Sequence, residues 1–188
     1  MKSFSFPTIH WEPKAIPTKE DLQRFYSTLN NDRDKALFLV YATSGLRNGE
    51  VLSLSRDIDF ATRALIPRNH SGKTKFAWVS FFNDETETVL RKYLASRKDN
   101  DSRLFLLEGN DSVVRIFKRA SDRSGIKLTP QDLRACFADE MDRLGVPEKY
   151  IDSFQGRIPK SVLRRNYSQY SLERLREVYD KARLTVLA

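Results

Sequence analysis

The stretch from Lys35 to Thr43 constrains the fold more than any other part of the chain. It reads Lys-Ala-Leu-Phe-Leu-Val-Tyr-Ala-Thr, so it is apolar on almost every side of a helix. A helix that is apolar all round has no face suited to water and is expected to be buried. Ser44-Gly45 ends it, since glycine readily adopts the conformation that terminates a helix. A chain of 188 residues is long enough for one domain with a sizeable core.

Most other segments have the periodicity of amphipathic helices. The predicted helices run from Thr18 to about Leu29, from Arg47 to Leu54, from Asp84 to about Arg97, from Asp111 to Ser124, from Thr129 to Gly145, from Pro147 to about Phe154, from about Pro159, and from Ser171. The start at Thr129 is the best defined, because a capping threonine is followed by proline and then an acid. That helix is predicted to point a set of side chains inward: Leu133, Cys136, Phe137, Met141 and Leu144.

Two short runs have the composition of β-strands. Residues 64–68 and 75–81 are rich in apolar and aromatic residues, and the polar residues 69–74 form the turn between them. Residues 103–107 are apolar and short, and they fit a strand or a helix equally well. The predicted fold class is therefore mostly α with a small antiparallel β-sheet, a hairpin or three strands, within residues 57–82.

Charge and composition favour a polyanionic partner inside a cell. There are 33 lysines and arginines against 25 acidic residues, a net charge of +8. The single cysteine, Cys136, excludes an internal disulfide and is expected to be a buried thiol. With two histidines and no Cys/His cluster, no zinc or other metal site is expected. We see no membrane span and no signal-peptide core, so we expect a cytoplasmic protein without a membrane partner.

The residues from 157 to 170 combine cations with tyrosines. Lys160, Arg164 and Arg165 lie close together just before Tyr167. Folding does not require cations this closely spaced, and contact with phosphate groups would explain them. The alternative is a solvated basic helix in which the tyrosines are ordinary half-buried aromatic residues.

Three separated motifs resemble the boxes of the tyrosine recombinases, the phage integrase family. Residues 45–54 read Gly-Leu-Arg-Asn-Gly-Glu-Val-Leu-Ser-Leu, with Asp-Ile-Asp at 57–59, and are similar to the first arginine box. Residues 128–138 resemble the second box, and residues 145–157 resemble the segment that ends in Leu-Gly-His. Tyr167 follows ten residues after Arg157, at the place of the family's tyrosine. The resemblance spans residues 18 to 180, and the order of the boxes makes it specific.

The resemblance implies a catalytic domain that cleaves and rejoins double-stranded DNA through a 3′-phosphotyrosyl intermediate. Tyr167 would be the nucleophile, and Tyr170 is the alternative that spacing disfavours. Arg47, Arg134 and Arg157 would bind the scissile phosphate, because guanidinium groups grip two non-bridging oxygens and stay charged. The energy of the cleaved bond is kept in the phosphotyrosine, so no cofactor, neither ATP nor metal, is expected.

The leaving 5′-oxygen needs a proton donor, and the resemblance implies a lysine on a hairpin. Lys73 lies in the predicted turn and Lys75 on the following strand. We favour Lys73 because of its place in the turn, while Lys75 stays an alternative.

Two departures from the family pattern affect proton transfer. Gln131 stands where the second box has histidine, and Arg157 stands where the third box has histidine. Glutamine hydrogen-bonds phosphate but is neither a general base nor a general acid, and arginine does not shuttle protons at neutral pH. Charge stabilisation survives these changes, and the base for Tyr167 is unassigned. The combination of Arg157 in place of the third-box histidine with the Thr-Lys pair resembles the pattern of archaeal virus and plasmid integrases.

The predicted organisation has three parts. Residues 1–17 contain three prolines and form an arm or linker, which suggests a further N-terminal domain. Residues 18–170 form the catalytic domain. Residues 171–188 form a C-terminal helix and tail that would dock on a neighbouring protomer in a tetramer on DNA, or else pack on their own domain.

Each site residue also has a purely structural interpretation, and the whole chain has other functional ones. Arg47 could cap the preceding helix or pair with Glu50, and Arg134 could pair with Asp132 or Glu140. A type IB topoisomerase would use the same chemistry as a monomer. A non-catalytic helical DNA-binding domain would use the basic residues only to hold the DNA backbone.

Overall fold

The computed structural model describes residues 15–68, 79–157 and 171–188. These residues form eight α-helices: α1 (Lys19–Ser27), α2 (Asp32–Ser44), α3 (Asn48–Leu52), α4 (Asp84–Ser96), α5 (Asn110–Ser124), α6 (Pro130–Arg143), α7 (Glu148–Phe154) and α8 (Leu172–Ala182). Two short strands, β1 (Ala64–Leu65) and β2 (Ser80–Phe81), pair antiparallel with Ala64 opposite Phe81 and Leu65 opposite Ser80. The predicted class, mostly helical with a small antiparallel sheet, is confirmed.

Helix α2 is the centre of the domain. Every residue from Ala36 to Ser44 is buried, as the apolar sequence predicts. Helices α4 and α6 both pack against it. The main core lies around α2 and takes in the inner faces of α1, α4 and α5, including Leu22, Leu90 and Phe117.

A second apolar cluster joins α6, α7 and α8 to β2. The rings of Phe81, Phe154 and Tyr179 contact one another with centroids 5.6–6.1 Å apart. The hydroxyl of Tyr179 donates to the carbonyl oxygen of Thr43 at 2.7 Å, which ties α8 to the last turn of α2. This cluster fixes the end of α7 next to the end of α2.

Gly45 ends α2 in a way that only glycine allows. Its φ is +64°, in the left-handed region. A Cβ on this residue would lie 2.3 Å from Cδ1 of Phe137, well inside van der Waals contact. The end of α2 and the inner face of α6 therefore approach each other closely here. Gly45 is two residues before Arg47, and Phe137 is three residues after Arg134.

Most helix starts follow local capping signals. Thr18 and Thr129 each form a capping box with the acid three residues later, as the sequence predicts. Helix α4 starts at Asp84 as predicted and is capped by Asn83, whereas α5 starts at Asn110, one residue before the predicted Asp111, after Gly109.

Several other sequence expectations need correction. Leu144 is not an inward residue of α6 but is 37% exposed, because α6 ends at Arg143 and Gly145 at φ +79° redirects the chain. Residues 103–107 are neither strand nor helix; Arg103 forms an isolated antiparallel bridge with Ser55. The strands are shorter than predicted in the described part of residues 57–82. Cys136 is buried as expected, and burial raises the pKa of its thiol to about 11.

The C-terminal residues pack on their own domain in this single chain. Leu184 and Val186 are buried. The carboxylate of Glu85 accepts hydrogen bonds from the backbone N–H groups of Val186, Leu187 and Ala188 at 2.8–2.9 Å. Docking of this segment on a neighbouring protomer stays a prediction. No helix within the three described ranges is long and apolar enough to cross a membrane.

Candidate active site

Arg134 is a buried cation held by main-chain carbonyl groups. It lies on the inner side of α6 and is only 5% exposed. Its Nη1 donates to the carbonyl oxygen of Gly45, and its Nη2 donates to the carbonyl oxygen of Gln155 at 2.6 Å. The guanidinium group therefore bridges the C-terminal ends of α2 and α7, and these bonds hold its plane in one orientation.

Arg47 lies at the start of α3 and is oriented by Glu50. Its backbone N–H donates to Oε2 of Glu50 at 2.7 Å, and its Nη1 donates to Oε1 at 2.9 Å. Glu50 is buried, with 6% exposure, so the carboxylate of this ion pair is shielded from water. The Nη2 atom of Arg47 donates to the carbonyl oxygen of Gly156 at 3.2 Å. With 29% of its side chain exposed, Arg47 remains accessible to a ligand.

Arg157 follows directly after the carbonyl groups that receive the other two arginines. Gly156 has φ +58°, and the backbone N–H of Arg157 closes the end of α7 by donating to the carbonyl oxygen of Asp152 at 2.8 Å. Its side chain is 51% exposed and lies 3.5 Å from the carboxylate of Asp152. Arg157 is therefore the most solvent-accessible of the three arginines.

The three arginines interact electrostatically. Burial, with added repulsion from the positive charge of Arg47 and a weaker contribution from Arg157, lowers the pKa of Arg134 to about 10, although Glu50 acts in the opposite direction. Arg134 is still protonated at neutral pH. An anion between these guanidinium groups would relieve the repulsion, so the arrangement favours binding of a phosphate-like group.

The structural alternatives for the two core arginines are partly realised. Arg47 does pair with Glu50, as the purely structural interpretation predicts, yet its other terminal nitrogen donates to the carbonyl oxygen of Gly156. Arg134 takes carbonyl partners from distant segments, while Glu140 pairs with Arg143. Both arginines are thus held in place by groups that leave them next to each other.

Gln131 lies in the first turn of α6 and is exposed. It is three residues before Arg134 and so lies one helical turn away on a neighbouring part of the helix surface. The remaining predicted site residues lie outside the described residues: Lys73, Lys75, Lys160, Arg164, Arg165, Tyr167 and the alternative Tyr170.

The sequence indicates one of the two residues that hold these arginines. Glu50 is three residues after Arg47, at the position where an acid completes a capping box, and its pairing with Arg47 is the structural alternative that the sequence offers. Gln155 is fully buried and hydrogen-bonds α6, a contact between residues 21 positions apart. No local sequence pattern indicates such a contact.

Comparison with known proteins places these motifs in a family. A profile described as "Phage integrase family" matches residues 17–173. The tyrosine recombinase XerA of Thermococcus onnurineus is 30% identical over 188 residues, covering 92% of this chain and 65% of the relative. XerA of Saccharolobus solfataricus is 32% identical over 174 residues, covering 91% of this chain and 57% of the relative. The chain thus spans somewhat less than two thirds of the length of these relatives.

Solved structures share the fold. A crystal structure of XerA recombinase has a TM-score of 0.67 at 23% identity, covering 96% of this chain and 68% of that protein. The Tn1549 transposon integrase, in complex with circular intermediate DNA, has a TM-score of 0.66 at 18% identity, covering 89% of this chain and 65% of that protein. The matched residues 17–173 include Arg47, Arg134 and Arg157. The chain therefore belongs to the phage integrase family, the tyrosine recombinases.

Proposed function

We propose that this chain is the catalytic domain of a site-specific DNA recombinase or integrase. The observation that carries the proposal is the arrangement of Arg47, Arg134 and Arg157 around the carbonyl groups of Gly45 and Gly156. Family membership and the printed descriptions of the relatives, tyrosine recombinases and an integrase in complex with DNA, support the same conclusion. The substrate is double-stranded DNA, on which the protein acts inside the cell.

The three arginines bind the scissile phosphate. A phosphorane-like transition state carries more negative charge than the ground state, so fixed cations stabilise it selectively. Arg134 and Arg47 are held by hydrogen bonds, so they need little reorganisation when the charge develops. Gln131, on the exposed side of the first turn of α6, is a further hydrogen-bond donor to the same phosphate.

Tyr167 is the proposed nucleophile. Its phenolic oxygen gives up its proton to a base that stays unassigned and forms a bond to phosphorus, while the bond from phosphorus to the 5′-oxygen breaks, which leaves a 3′-phosphotyrosyl link. The leaving oxygen takes a proton from Lys73, with Lys75 as the alternative donor. Attack by a 5′-hydroxyl on the phosphotyrosine reverses the step and rejoins a strand, so no external energy source enters the reaction.

Other residues hold the DNA and assemble the complex. Lys160, Arg164 and Arg165 contact the DNA backbone and carry no sequence information directly. In a tetramer on DNA, residues 171–188 exchange from their own domain, on which they pack in the single chain, onto a neighbouring protomer. The arginine in the third box supports the further prediction that the protein is an integrase of an archaeal virus or plasmid.

The covalent intermediate provides the test. A nicked suicide substrate traps it, because the short 5′-end diffuses away and strand rejoining is blocked. We expect the wild-type chain and Tyr170→Phe to form the adduct, and Tyr167→Phe to form none detectable by denaturing electrophoresis. An adduct at wild-type level in Tyr167→Phe would refute the assignment of the nucleophile.

The same substrates separate the alternatives. If the wild-type chain shifts DNA in a binding assay but forms no adduct, the non-catalytic DNA-binding function is favoured. A topoisomerase relaxes supercoiled DNA as a monomer without pairing two sites. A recombinase brings two fluorescently marked sites into one complex, which we expect here.

A further inference from the structure

We propose that Gln155 is a positioning residue for Arg134, acting through its side-chain amide on α6. This inference rests on the proposed recombinase function. Gln155 caps the C-terminal end of α7 and is completely buried. It touches no part of the DNA in this account, and its effect on the reaction passes through the arginine that it holds.

Gln155 and Arg134 are joined by two reciprocal hydrogen bonds. The side-chain Nε2 of Gln155 donates to the carbonyl oxygen of Arg134 at 2.7 Å. The carbonyl oxygen of Gln155 accepts from Nη2 of Arg134 at 2.6 Å. One bond fixes the backbone of α6 at the arginine, and the other fixes the guanidinium group. Together they set the distance and angle between α6 and the end of α7.

The orientation of the amide follows from its partner. A carbonyl oxygen is only an acceptor, so the amide nitrogen must face the carbonyl of Arg134. The other end, Oε1, is then turned into the protein. It is buried, and no hydrogen-bond partner for it exists among the described residues. Burying an amide oxygen without a partner is unfavourable for folding.

Stability alone therefore does not explain a glutamine here. The carbonyl of Arg134 lies inside α6, where it also faces the N–H group one turn later, so it would keep a partner without Gln155. An apolar side chain of similar length would remove the unpaired Oε1. What such a side chain would lose is the side-chain bond, one of the two hydrogen bonds that link Arg134 to the end of α7.

The same turn also serves the other two arginines. Gly156, the next residue, accepts from Nη2 of Arg47 at 3.2 Å, and Arg157 follows it. A shift of Gln155 relative to α6 would thus change the spacing between Arg134 and both of its neighbours. Gln155 keeps the three cations in one geometry.

Gln155→Met tests the proposal, since methionine matches glutamine in length but lacks the amide. We expect the melting temperature to stay within about 3 °C of wild type. DNA affinity should change by less than about 2-fold, while the rate of adduct formation at saturating suicide substrate falls roughly 10–100-fold, the scale of a misplaced catalytic group. An unchanged rate, or a rate loss that follows a lost melting transition, would overturn the proposal.

A double-mutant cycle with Arg134→Lys identifies the path of the effect. Lysine lacks the two-pronged guanidinium group, so a residue that acts only through that group has nothing left to position. In the Arg134→Lys protein, Gln155→Met should slow cleavage by less than about 2-fold. The same fold loss in both backgrounds would mean that Gln155 acts independently of Arg134.

Gln23→Met is the matched control. Gln23 also donates its Nε2 to a main-chain carbonyl, that of Leu187 at 2.9 Å, but it lies on α1 away from the arginines. We expect wild-type cleavage from this variant. A loss equal to that of Gln155→Met would show that the substitution acts through general loosening.

Nuclear magnetic resonance of arginine-labelled protein tests the positioning without catalysis. In the wild-type chain, the Arg134 guanidinium N–H signals, assigned by their loss in Arg134→Lys, should show slow rotation and slow exchange with solvent. Gln155→Met should speed both, and Gln23→Met should not. Unchanged signals in Gln155→Met would refute the positioning role of Gln155, whether or not the chain forms the covalent adduct. Failure of the wild-type chain to form the adduct would count only against the proposed recombinase function. If Arg134→Lys cleaves too slowly to measure, the comparison of these N–H signals decides whether Gln155 positions Arg134.

Discussion

Each arginine of the candidate site is held by a different kind of group. Arg134 is buried against carbonyl oxygens, which accept its hydrogen bonds without neutralising its charge. Arg47 is held by the carboxylate of Glu50, and Arg157 lies near Asp152 at the surface. Arg134 is thus the arginine whose charge is least neutralised by direct contact. Its charge therefore gains the most electrostatic stabilisation from an approaching phosphate.

Glu50→Gln should slow cleavage while leaving DNA binding nearly intact. The amide keeps the size of the side chain but loses the charge and one of the two acceptors that orient Arg47. We expect the rate of adduct formation to fall by roughly 10-fold or more. Single-turnover cleavage at saturating DNA measures it. The control is Glu140→Gln, which changes a surface pair with Arg143. Equal rates for the two variants would contradict the orienting role of Glu50.

Gly45→Ala should destabilise the fold by about 3 kcal/mol. Alanine is strained at φ +64°, and its Cβ would collide with Phe137. Gly125→Ala is the matched control, since Gly125 has φ +74° with no atom within 4 Å of the added Cβ, and should cost only about 1 kcal/mol. Urea denaturation measures both free energies of unfolding. Equal losses would show that the contact with Phe137 is readily relieved.

At this scale the sequence identifies which residues carry charge but not what holds them. The motifs pointed to Arg47, Arg134 and Arg157 because residue type and order suffice for that. The partner Glu50 is local and could be found, whereas Gln155 contacts Arg134 only because α6 and α7 pack together. A contact of that kind leaves no periodic signal in one sequence.

Elements with their own capping signals were the easiest to predict. Helix α6 begins at a capping box with proline in its first turn, and α2 is apolar throughout. Residues 103–107 fit a strand or a helix equally well by sequence, because their structure depends on a bridge from Arg103 to Ser55, far away in sequence. The short strands likewise depend on pairing rather than on their own residues.

Glu85 should hold the C-terminal residues on this domain. Its carboxylate accepts three backbone N–H groups from residues 186–188 and lies at the start of α4. Glu85→Ala should therefore speed hydrogen exchange at Val186 and Leu187 by at least about 10-fold and lower stability by roughly 1–3 kcal/mol. The control Glu177→Ala removes surface ion pairs of α8. Unchanged exchange in Glu85→Ala would mean that burial of Leu184 and Val186 alone holds the segment.

The whole molecule carries a net charge of +8, and DNA binding should depend strongly on salt. Each neutralised phosphate contributes a slope of about −0.9 to log affinity against log salt, so four contacts would weaken binding roughly 100-fold between 50 and 200 mM salt. Fluorescence anisotropy with a short duplex measures this. An affinity independent of salt would exclude backbone contacts as the main source of binding.

Packing of the whole domain brings together cations that are far apart in sequence. Helix α6 contacts both α2 and α7, and the ends of these helices carry the carbonyl groups that Arg134 bridges. Arg47 and Arg157 lie at the same junction. In the proposed function, this junction stabilises the extra negative charge of a phosphate in its transition state.

A neutral substrate tests that claim most directly. A methylphosphonate at the scissile position replaces a charged oxygen by a methyl group, so less negative charge develops. On the normal phosphate, Arg134→Ala should slow adduct formation by roughly 10²–10³-fold, with Arg143→Ala as an unaffected surface control. On the methylphosphonate, we predict that the loss in Arg134→Ala shrinks to less than about 10-fold. A loss of the same size on both substrates would contradict the account.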